Sequence, residues 1–333
     1  MKKIKCGVIG LGFFGEHHVD TLKSISVADV NAVCTRREHR LKEIADKYSI
    51  PKAYTDYRDL LADKEIEMVS IVTHVKDHLS ITVDALKAGK NVFLEKPMAD
   101  NKKECEEIIA ALKKSDKFFM VGHICRFDTV YALAKEEIDS GALGKLISIH
   151  AKRNLNRDYT ITPLKNISAL FGDGIHDLDL MLWYTGANLK NVYAQTLSTR
   201  PELPYDDVGW AMFRFDNGCI GVIENIWCLP GNTPHAIDAK MEIIGECGTI
   251  YIDNSGMNYT VIANNQVKYP QSTYWPEVHG ERRGFLKDEL EYFLKCIIDK
   301  REPDIITPEE SMNAVNAMRI AEESAKTNKV INF

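Results

Sequence analysis

The start of the chain carries the pattern that most restricts its fold. A β-rich segment at residues 3–9 runs into a turn with the spacing GxGxxG, and a helical pattern follows. In such a turn the first glycine permits a tight bend, the second lets backbone approach a pyrophosphate, and the third allows close packing of helix on strand. The helix start also offers free N–H groups to phosphates. A plain glycine-rich turn is the alternative, but the strand–turn–helix context favours a dinucleotide site lined by Gly10, Gly12, Phe13, Phe14 and Gly15.

The first 122 residues alternate short apolar segments with amphipathic ones. The helical patterns lie at about 37–48, 77–88 and 101–115, and the β-rich segments lie at 3–9, 29–34, 67–72, 91–94 and 118–121. Short apolar strands between amphipathic helices are typical of a parallel sheet covered on both faces. Right-handed crossovers then give a doubly wound sheet. We therefore predict an α/β protein with a Rossmann dinucleotide-binding domain at residues 1–122.

The pattern changes after about residue 122. Longer strand-like segments with few helices between them lie at 146–154, 191–198, 208–215, 219–227, 237–244 and 248–253. Hairpin signals such as Asp216-Asn217-Gly218 join some of them, and helical patterns near 281–299 and 308–326 close the chain. We predict an α+β domain at residues 123–333 with a large open, mostly antiparallel sheet, and assign it to substrate binding.

Composition narrows the classes of partner. A net charge of −6 gives no basic face for nucleic acid, and no apolar stretch is long enough for a membrane span. The eight cysteines are scattered without a CxxC pair, which favours reduced thiols in the cytoplasm. No His, Cys, Asp and Glu set has metal-ligand spacing. We expect a cytoplasmic protein that binds neither metal, nucleic acid nor membrane.

The end of the second predicted strand bears on the choice of cofactor. An acidic residue there would hold the ribose 2′-hydroxyl and favour NAD. This chain has Cys34, Thr35, Arg36 and Arg37 instead. A threonine can donate a hydrogen bond, and either arginine can pair with a 2′-phosphate. NADP is therefore favoured over NAD, although the arginines could simply begin a solvated helix.

A lysine follows the strand at 91–94. Proline cannot donate to a strand ladder, so Pro97 ends this strand and leaves Lys96 at the carboxyl edge of the sheet, where ligands bind in open α/β folds. A lysine there can hydrogen-bond a substrate hydroxyl or lower the pKa of a nearby acid. A surface lysine at a strand end is the equally weighted alternative.

A histidine between two acids marks the second domain. Asp173 lies three residues before His176 and Asp179 three after, so a helix would place all three on one face. A carboxylate beside an imidazole raises its pKa and fixes its tautomer, which suits His176 to accept a hydroxyl proton. In the alternative, Asp173 caps the helix and His176 is a packed core residue.

Other polar residues suit a polyhydroxylated ligand, because sugar hydroxyls need paired donors and acceptors. An ordinary polar loop explains them equally well. They are Asn154, Asn156, Arg157 and Tyr159, with Trp275 and His279 as a weaker set.

These motifs together resemble the Gfo/Idh/MocA oxidoreductase family over nearly the full chain. The resemblance rests on the glycine turn, the run AGKNVFLEKP at 88–97, Gly122-His123 with Arg126-Phe127, and the closing helices with Pro303 between them. It implies that Lys96 is catalytic and lies near the nicotinamide, that His176 and an aspartate serve the active site, and that the protein is a homodimer or homotetramer built through the second sheet. It also implies that further residues lie at the cofactor: Thr73, His74, His78, Glu95 and Arg126. For a histidine at the position of His78, a structural role is more common than a cofactor contact.

The chain departs from the family pattern at two positions. The family acid usually lies four residues before the histidine, but that position is Gly172 and the acid is Asp173. On a helix this shift rotates the carboxylate by about 100°. Either a local turn compensates, or another acid replaces it. The family also often has proline where His74 stands.

We therefore expect hydride transfer between nicotinamide C4 and a carbinol or carbonyl carbon of a sugar, sugar derivative or cyclitol. Lys96 would polarise the reacting oxygen, His176 would exchange its proton, and Asp173 would tune His176. The substrate site would consist of Lys96, Asn154, Arg157, Asp173 and His176. A non-catalytic regulatory protein that senses dinucleotide and sugar is the alternative from another class, and an aldehyde or imine reductase would differ only in substrate.

Overall fold

The computed structural model describes residues 3–234, 236–256, 259–270, 272 and 274–333. The chain divides into two compact units, Met1–Phe127 with Tyr274–Asn313, and Asp128–Thr273 with Ala314–Phe333. The sequence had placed the whole of 123–333 in one domain, whereas segment 274–313 belongs to the first unit. The reason is a long-range apolar contact that local patterns do not show: the ring of Phe293 packs 5.9 Å from that of Phe93.

The first unit is built on six parallel strands in the order β3-β2-β1-β4-β5-β6. The strands are β1 (Ile4–Ile9), β2 (Ala28–Cys34), β3 (Lys52–Tyr54), β4 (Met68–Ile71), β5 (Asn91–Glu95) and β6 (Phe119–Gly122). The sequence analysis found five of these and missed the three-residue β3. The strand order reverses between β1 and β4, so the carboxyl ends of these strands flank the crevice where such sheets bind ligands.

Helices cover both faces of this sheet. They are α1 (Phe13–Lys23), α2 (Glu38–Tyr48), α3 (Tyr57–Ala62), α4 (His78–Lys87), α5 (Lys102–Leu112) and, from the later segment, α10 (Phe285–Asp299). Two reciprocal hydrogen bonds explain where α5 begins: Asn101, the N-cap, accepts through Oδ1 from the backbone N–H of Glu104, and Glu104 accepts from the backbone N–H of Asp100, which precedes the N-cap. Strand β4 is buried at every residue, as expected for a strand covered on both faces.

The second unit contains a seven-stranded sheet in the order β12-β11-β7-β10-β9-β8-β17. Its strands are β7 (Leu146–Leu155), β8 (Leu189–Leu197), β9 (Val208–Phe215), β10 (Ile220–Ile226), β11 (Ile237–Gly245), β12 (Thr249–Asp253) and β17 (Ile331–Asn332). Only the β7–β10 pair is parallel, which confirms the predicted mostly antiparallel sheet. The hairpin of β13 (Val261–Ala263) and β14 (Gln266–Lys268) lies outside it, and β15 (Glu277–Val278) pairs with β16 (Glu281–Arg282) in the first unit.

Helices cover one face of the second sheet. They are α6 (Thr129–Asp139), α7 (Arg157–Thr160), α8 (Ala169–Gly172), α9 (Gly174–Thr185) and the part of α11 (Pro308–Thr327) after Asn313. Side chains alternate along β9, where Phe213 and Phe215 are buried and Trp210 and Met212 are exposed. The face opposite the helices therefore presents large apolar side chains.

Within the described ranges, no helix combines the length and apolarity that crossing a membrane requires. The cysteines are free thiols, and six of the eight are buried, where a thiol packs as a small apolar group. The part of the chain that the structure describes also contains no cluster of three or more His, Cys, Asp or Glu side chains suited to a metal ion.

Candidate active site

The glycine turn lies between β1 and α1 at the strand-order reversal. Gly10 has φ +97°, and a Cβ there would come within 2.6 Å of the Val72 carbonyl carbon. A Cβ at Gly15 would come within 2.9 Å of the Gly10 carbonyl carbon, so strand and helix can approach only with glycine at both positions. Beside Gly12 there is open space, since a Cβ would meet nothing within 4 Å. This is the room that a pyrophosphate needs at the start of α1.

The residues after β2 surround the same turn. Arg37 donates from Nη2 to the carbonyl of Leu11 at 2.8 Å, which holds its guanidinium against the glycine turn. The Arg36 side chain is 82% exposed and lies 3.5 Å from the Asp77 carboxylate. Thr35 is fixed through its backbone N–H to the Tyr54 carbonyl. A threonine and two guanidinium groups therefore line this edge.

The loop after β4 is tied to the loop after β5 by a buried histidine. His78 Nδ1 lies 2.8 Å from the Pro97 carbonyl oxygen, and Nε2 lies 3.2 Å from that of Thr73. Burial lowers the pKa of His78 despite these hydrogen bonds. The contacts favour the structural role for His78, whereas His74 is exposed and the Thr73 hydroxyl is buried without a hydrogen-bond partner among the described residues.

Lys96 follows the last residue of β5, and Glu95 is anchored beneath it. The Glu95 carboxylate lies 3.1 Å from His18 Nε2 and accepts from the backbone N–H of Lys96 at 3.2 Å. His18 is fully buried, and its Nδ1 lies 2.8 Å from Ser70 Oγ. The sequence analysis did not select His18 as a site residue and missed this network. The one indication of this network in the sequence was a serine and a glutamate within strands that are otherwise apolar.

Two further candidates of the first unit have structural contacts. Arg126 is buried and donates from Nη1 to the Ile305 carbonyl at 2.7 Å and to Glu310 at 3.2 Å, which fixes the later segment to the unit. The Trp275 ring packs 5.5 Å from that of Phe14, whereas His279 is exposed at the tip of the β15–β16 hairpin.

In the second unit the structure brings Asp173 and His176 together. Asp173 separates α8 from α9, so the helical phase breaks at this residue. Its Oδ1 lies 4.0 Å from His176 Nε2, and both side chains are largely buried. The Asp173 side chain makes no capping hydrogen bond to α9, which argues against the capping interpretation. The i, i+3 spacing thus places the displaced carboxylate beside the imidazole.

A tryptophan that the sequence analysis did not select contacts this acid. Trp227 follows β10, and its indole Nε1 donates to Asp173 Oδ2 at 2.9 Å. The same ring lies against Gly172, where a Cβ would come within 2.6 Å of Cη2. On the other side of the acid, a Cβ at Gly174 would collide with the Asn225 side chain. In the sequence, the two glycines that flank Asp173 within a helical pattern were the one indication that bulky side chains pack closely around this acid.

The remaining polar candidates of this unit have defined positions. Asn154 is buried; it donates to Glu224 at 2.6 Å and accepts from the backbone N–H of Ile226 at 2.8 Å. Arg157 is exposed at the start of α7. Asp177 pairs with Arg153 at 2.8 Å, and burial raises the pKa of its carboxyl despite this partner. Asp179 is also buried.

A second buried ion pair supports the loop around Trp227. Arg200 donates from Nε to Asp207 Oδ2 at 3.0 Å and from Nη2 to the carbonyl of Trp227 at 2.7 Å. It also donates to the hydroxyl of Thr160 and the carbonyl of Arg157. One guanidinium therefore joins three separate segments of the unit.

A glycine turn at the strand-order reversal of a parallel sheet, in a chain with a separate, mostly antiparallel-sheet unit, is typical of dinucleotide-dependent oxidoreductases. Residues 4–123 match the family model described as the oxidoreductase family with an NAD-binding Rossmann fold, and residues 131–251 match the Gfo/Idh/MocA C-terminal domain. The chain belongs to the Gfo/Idh/MocA oxidoreductase family, as its motifs predicted.

Relatives in this family resemble the chain over most of its length. A myo-inositol 2-dehydrogenase of Thermotoga maritima is 29% identical, over 94% of this chain and 93% of the relative. A scyllo-inositol 2-dehydrogenase (NAD(+)) of Bacillus subtilis is 28% identical, over 93% and 91%. The structure of scyllo-inositol dehydrogenase from Lactobacillus casei with NAD(H) and scyllo-inositol has a TM-score of 0.85 at 22% identity, covering 99% of each chain, and supports the fold.

Proposed function

We propose that the protein transfers a hydride between nicotinamide C4 and a carbinol or carbonyl carbon of a sugar, sugar derivative or cyclitol. The observation that carries this proposal is the pair formed by Asp173 and His176, a carboxylate and an imidazole 4.0 Å apart in a unit of a family oxidoreductase. Relatives named as inositol dehydrogenases support a polyhydroxylated substrate.

The first unit has the features that a nicotinamide dinucleotide needs. The open space beside Gly12 suits the pyrophosphate, and the residues after β2 suit the adenosine ribose. Thr73 and Lys96 follow β4 and β5 at the carboxyl edge, which suits the nicotinamide end. When bound, the cofactor supplies the hydride acceptor or donor. The lysine would donate a hydrogen bond to the reacting oxygen.

His176 would exchange the hydroxyl proton. Its Nδ1 is buried, so Nε2, on the side of Asp173, is the nitrogen we assign to proton transfer. In oxidation the hydroxyl proton passes to Nε2 as the hydride leaves carbon, and in reduction both steps run backwards. The negative charge of Asp173 would stabilise the imidazolium that forms.

We further propose NADP over NAD as the preferred cofactor. No carboxylate occupies positions 34–37, and the Arg36 side chain is 82% exposed at the edge of the predicted ribose site. A guanidinium there can pair with a 2′-phosphate, which NAD lacks. The names of two relatives contain NAD and not NADP. The preference proposed for this protein differs because it rests on the residues of its own chain.

The test is an assay of the purified protein with NAD and NADP in parallel against a panel of sugars and cyclitols, read by the near-ultraviolet absorbance of the reduced nicotinamide. Lys96→Ala should lower turnover by about 10²–10⁴-fold while the cofactor still binds. Lys103→Ala removes an exposed lysine of α5 and should change nothing. Full activity of Lys96→Ala would contradict the assignment.

Glycine at the usual acid position, Gly172, supports the regulatory alternative. Because Asp173 lies beside His176, a carboxylate is available despite Gly172, and the geometry favours the enzyme. A protein that binds dinucleotide and sugars but oxidises or reduces none of the panel would favour the sensor.

We also propose a homodimer or homotetramer formed through the exposed face of the second sheet. Trp210, Met212 and Tyr251 are exposed on its strands, and large apolar side chains exposed on one face of a sheet favour association with a partner. Light scattering after size exclusion would test this, and Trp210→Glu should shift the protein towards monomer.

A further inference from the structure

Asp173 lies at the junction of two helices, α8 and α9. It follows α8 and precedes α9, with φ −115° and ψ −27°. A short acid at a helix junction usually bonds the first N–H groups of the next helix. This one does not cap α9 and instead receives the indole N–H of Trp227.

The close approach of the indole to Gly172 explains why the acid is at position 173 and not at position 172. A side chain at 172 would place its Cβ 2.6 Å from Cη2 and 2.9 Å from Cζ2 of Trp227. The ring therefore excludes an acid at position 172 and at the same time holds the acid at position 173. One Asp173 oxygen accepts from the indole at 2.9 Å, and the other lies 4.0 Å from His176 Nε2.

Trp227 is itself held in place. It is 3% exposed and packs with Leu164 and Ala169, against which Leu203 also packs. Its backbone N–H donates to the Asp207 carbonyl at 2.7 Å, and its carbonyl accepts from Arg200. The indole donor is therefore preorganised, because two backbone hydrogen bonds and the packing of the ring fix its position. A catalytic carboxylate needs such a fixed donor if it is to be held in one geometry.

We infer that Trp227 is a positioning residue for proton transfer: its indole N–H fixes the Asp173 carboxylate so that this displaced acid serves His176. This inference rests on the proposed function for its consequence in turnover. Trp227 touches no reacting atom in this scheme and acts through Asp173. The indole of Trp227 thus couples Gly172 to Asp173. It stabilises the acid at a position one residue later than in the family pattern.

The test is a double-mutant cycle with Trp227→Phe and Asp173→Asn. Phenylalanine keeps an aromatic ring beside Gly172 and removes the N–H donor. Losing a hydrogen bond to a charged group should lower kcat by about 10- to 100-fold, with the KM for the cofactor unchanged. If Trp227 acts through Asp173, the double variant should be no slower than Asp173→Asn alone. Additive losses, or full kcat in Trp227→Phe, would overturn the inference.

Leu203→Ala is the matched control, because it loosens the packing around the indole and leaves the hydrogen bond intact. It should lower stability with kcat unchanged. A kcat loss in Leu203→Ala equal to that of Trp227→Phe would reduce Trp227 to a packing role and overturn the inference.

A spectroscopic measurement separates this inference from the proposed function. The indole N–H resonance of Trp227, assigned by its loss in Trp227→Phe, should move upfield in Asp173→Asn and stay in place in Leu203→Ala. This readout needs no substrate. A wild-type protein without activity on the panel would therefore contradict the proposed function alone, whereas an indole resonance insensitive to Asp173→Asn would overturn the inference.

Discussion

The imidazole of His18 lies 3.1 Å from the carboxylate of Glu95, which also accepts from the backbone N–H of Lys96. The partners assign the proton: with a neutral ring, Nε2–H donates to the carboxylate and Nδ1 accepts from the Ser70 hydroxyl. Both side chains are buried, and the backbone N–H of Lys96 donates to the other Glu95 oxygen. The position of the predicted catalytic lysine thus depends on a polar network within the core of the first unit.

Removal of His18 should therefore destabilise the first unit. His18→Ala removes the imidazole donor from the buried Glu95 carboxylate, and leaving a buried charged acceptor without its donor costs at least about 1–3 kcal/mol. Urea unfolding followed by circular dichroism measures the loss. Thr21→Val is the matched control, since Thr21 is equally buried on α1 and its hydroxyl has no hydrogen-bond partner among the described residues. Equal stability of His18→Ala and Thr21→Val would contradict the role of the network.

The parts of the site that the sequence could predict are those encoded locally. The glycine turn and the lysine at the end of β5 follow from strand–turn–helix order, and the Asp173–His176 proximity follows from spacing. Trp227 could not be found this way, because it meets Asp173 across 54 residues. His18 meets Glu95 across 77 residues, and no periodicity of α1 or β5 encodes that pairing. The return of segment 274–313 to the first unit is likewise a matter of tertiary packing.

The Arg200–Asp207 pair should make the second unit sensitive to truncation. Arg200→Met removes four hydrogen bonds that join separate segments and leaves Asp207 buried without its guanidinium. We expect a loss of about 3–5 kcal/mol, measured as a lower urea midpoint. Arg58→Met, which breaks an exposed pair with Asp56, should change the midpoint little. A comparable shift in both variants would contradict the distinction.

The same pair predicts how stability depends on pH. Burial opposes ionisation of Asp207, but the Thr199 and Arg200 hydrogen bonds outweigh it and lower the pKa of its carboxyl. A lowered folded-state pKa contributes stability above the unfolded value of about 3.9, and that contribution is lost as pH falls through the folded value. The gap in unfolding free energy between wild type and Asp207→Asn should be constant from neutral pH to about pH 5 and shrink below about pH 4. A gap that widens on acidification would contradict this sign.

Cofactor choice should depend on Arg36. Arg36→Ala removes an exposed guanidinium beside the predicted ribose site. If this group pairs with the 2′-phosphate, the KM for NADP should rise about 10-fold or more while that for NAD stays the same. Arg58→Ala, an exposed arginine of the same unit, serves as control. Equal changes for both cofactors, or none, would show that the arginines only begin a solvated helix.

Gly172→Ala tests the close approach of Trp227 to the helix junction. The added methyl would come within 2.6 Å of a buried ring, and overpacking of this kind costs about 1–3 kcal/mol. Relief requires the indole to move, so the variant should also lose kcat to a degree similar to Trp227→Phe. Gly248→Ala is the matched control in the same unit, because its added methyl meets neighbours at 3.4 Å or more. Thermal unfolding and turnover of the two variants decide the matter: a Gly172→Ala protein as stable and active as Gly248→Ala would show that the ring can give way and that position 172 could have held the acid.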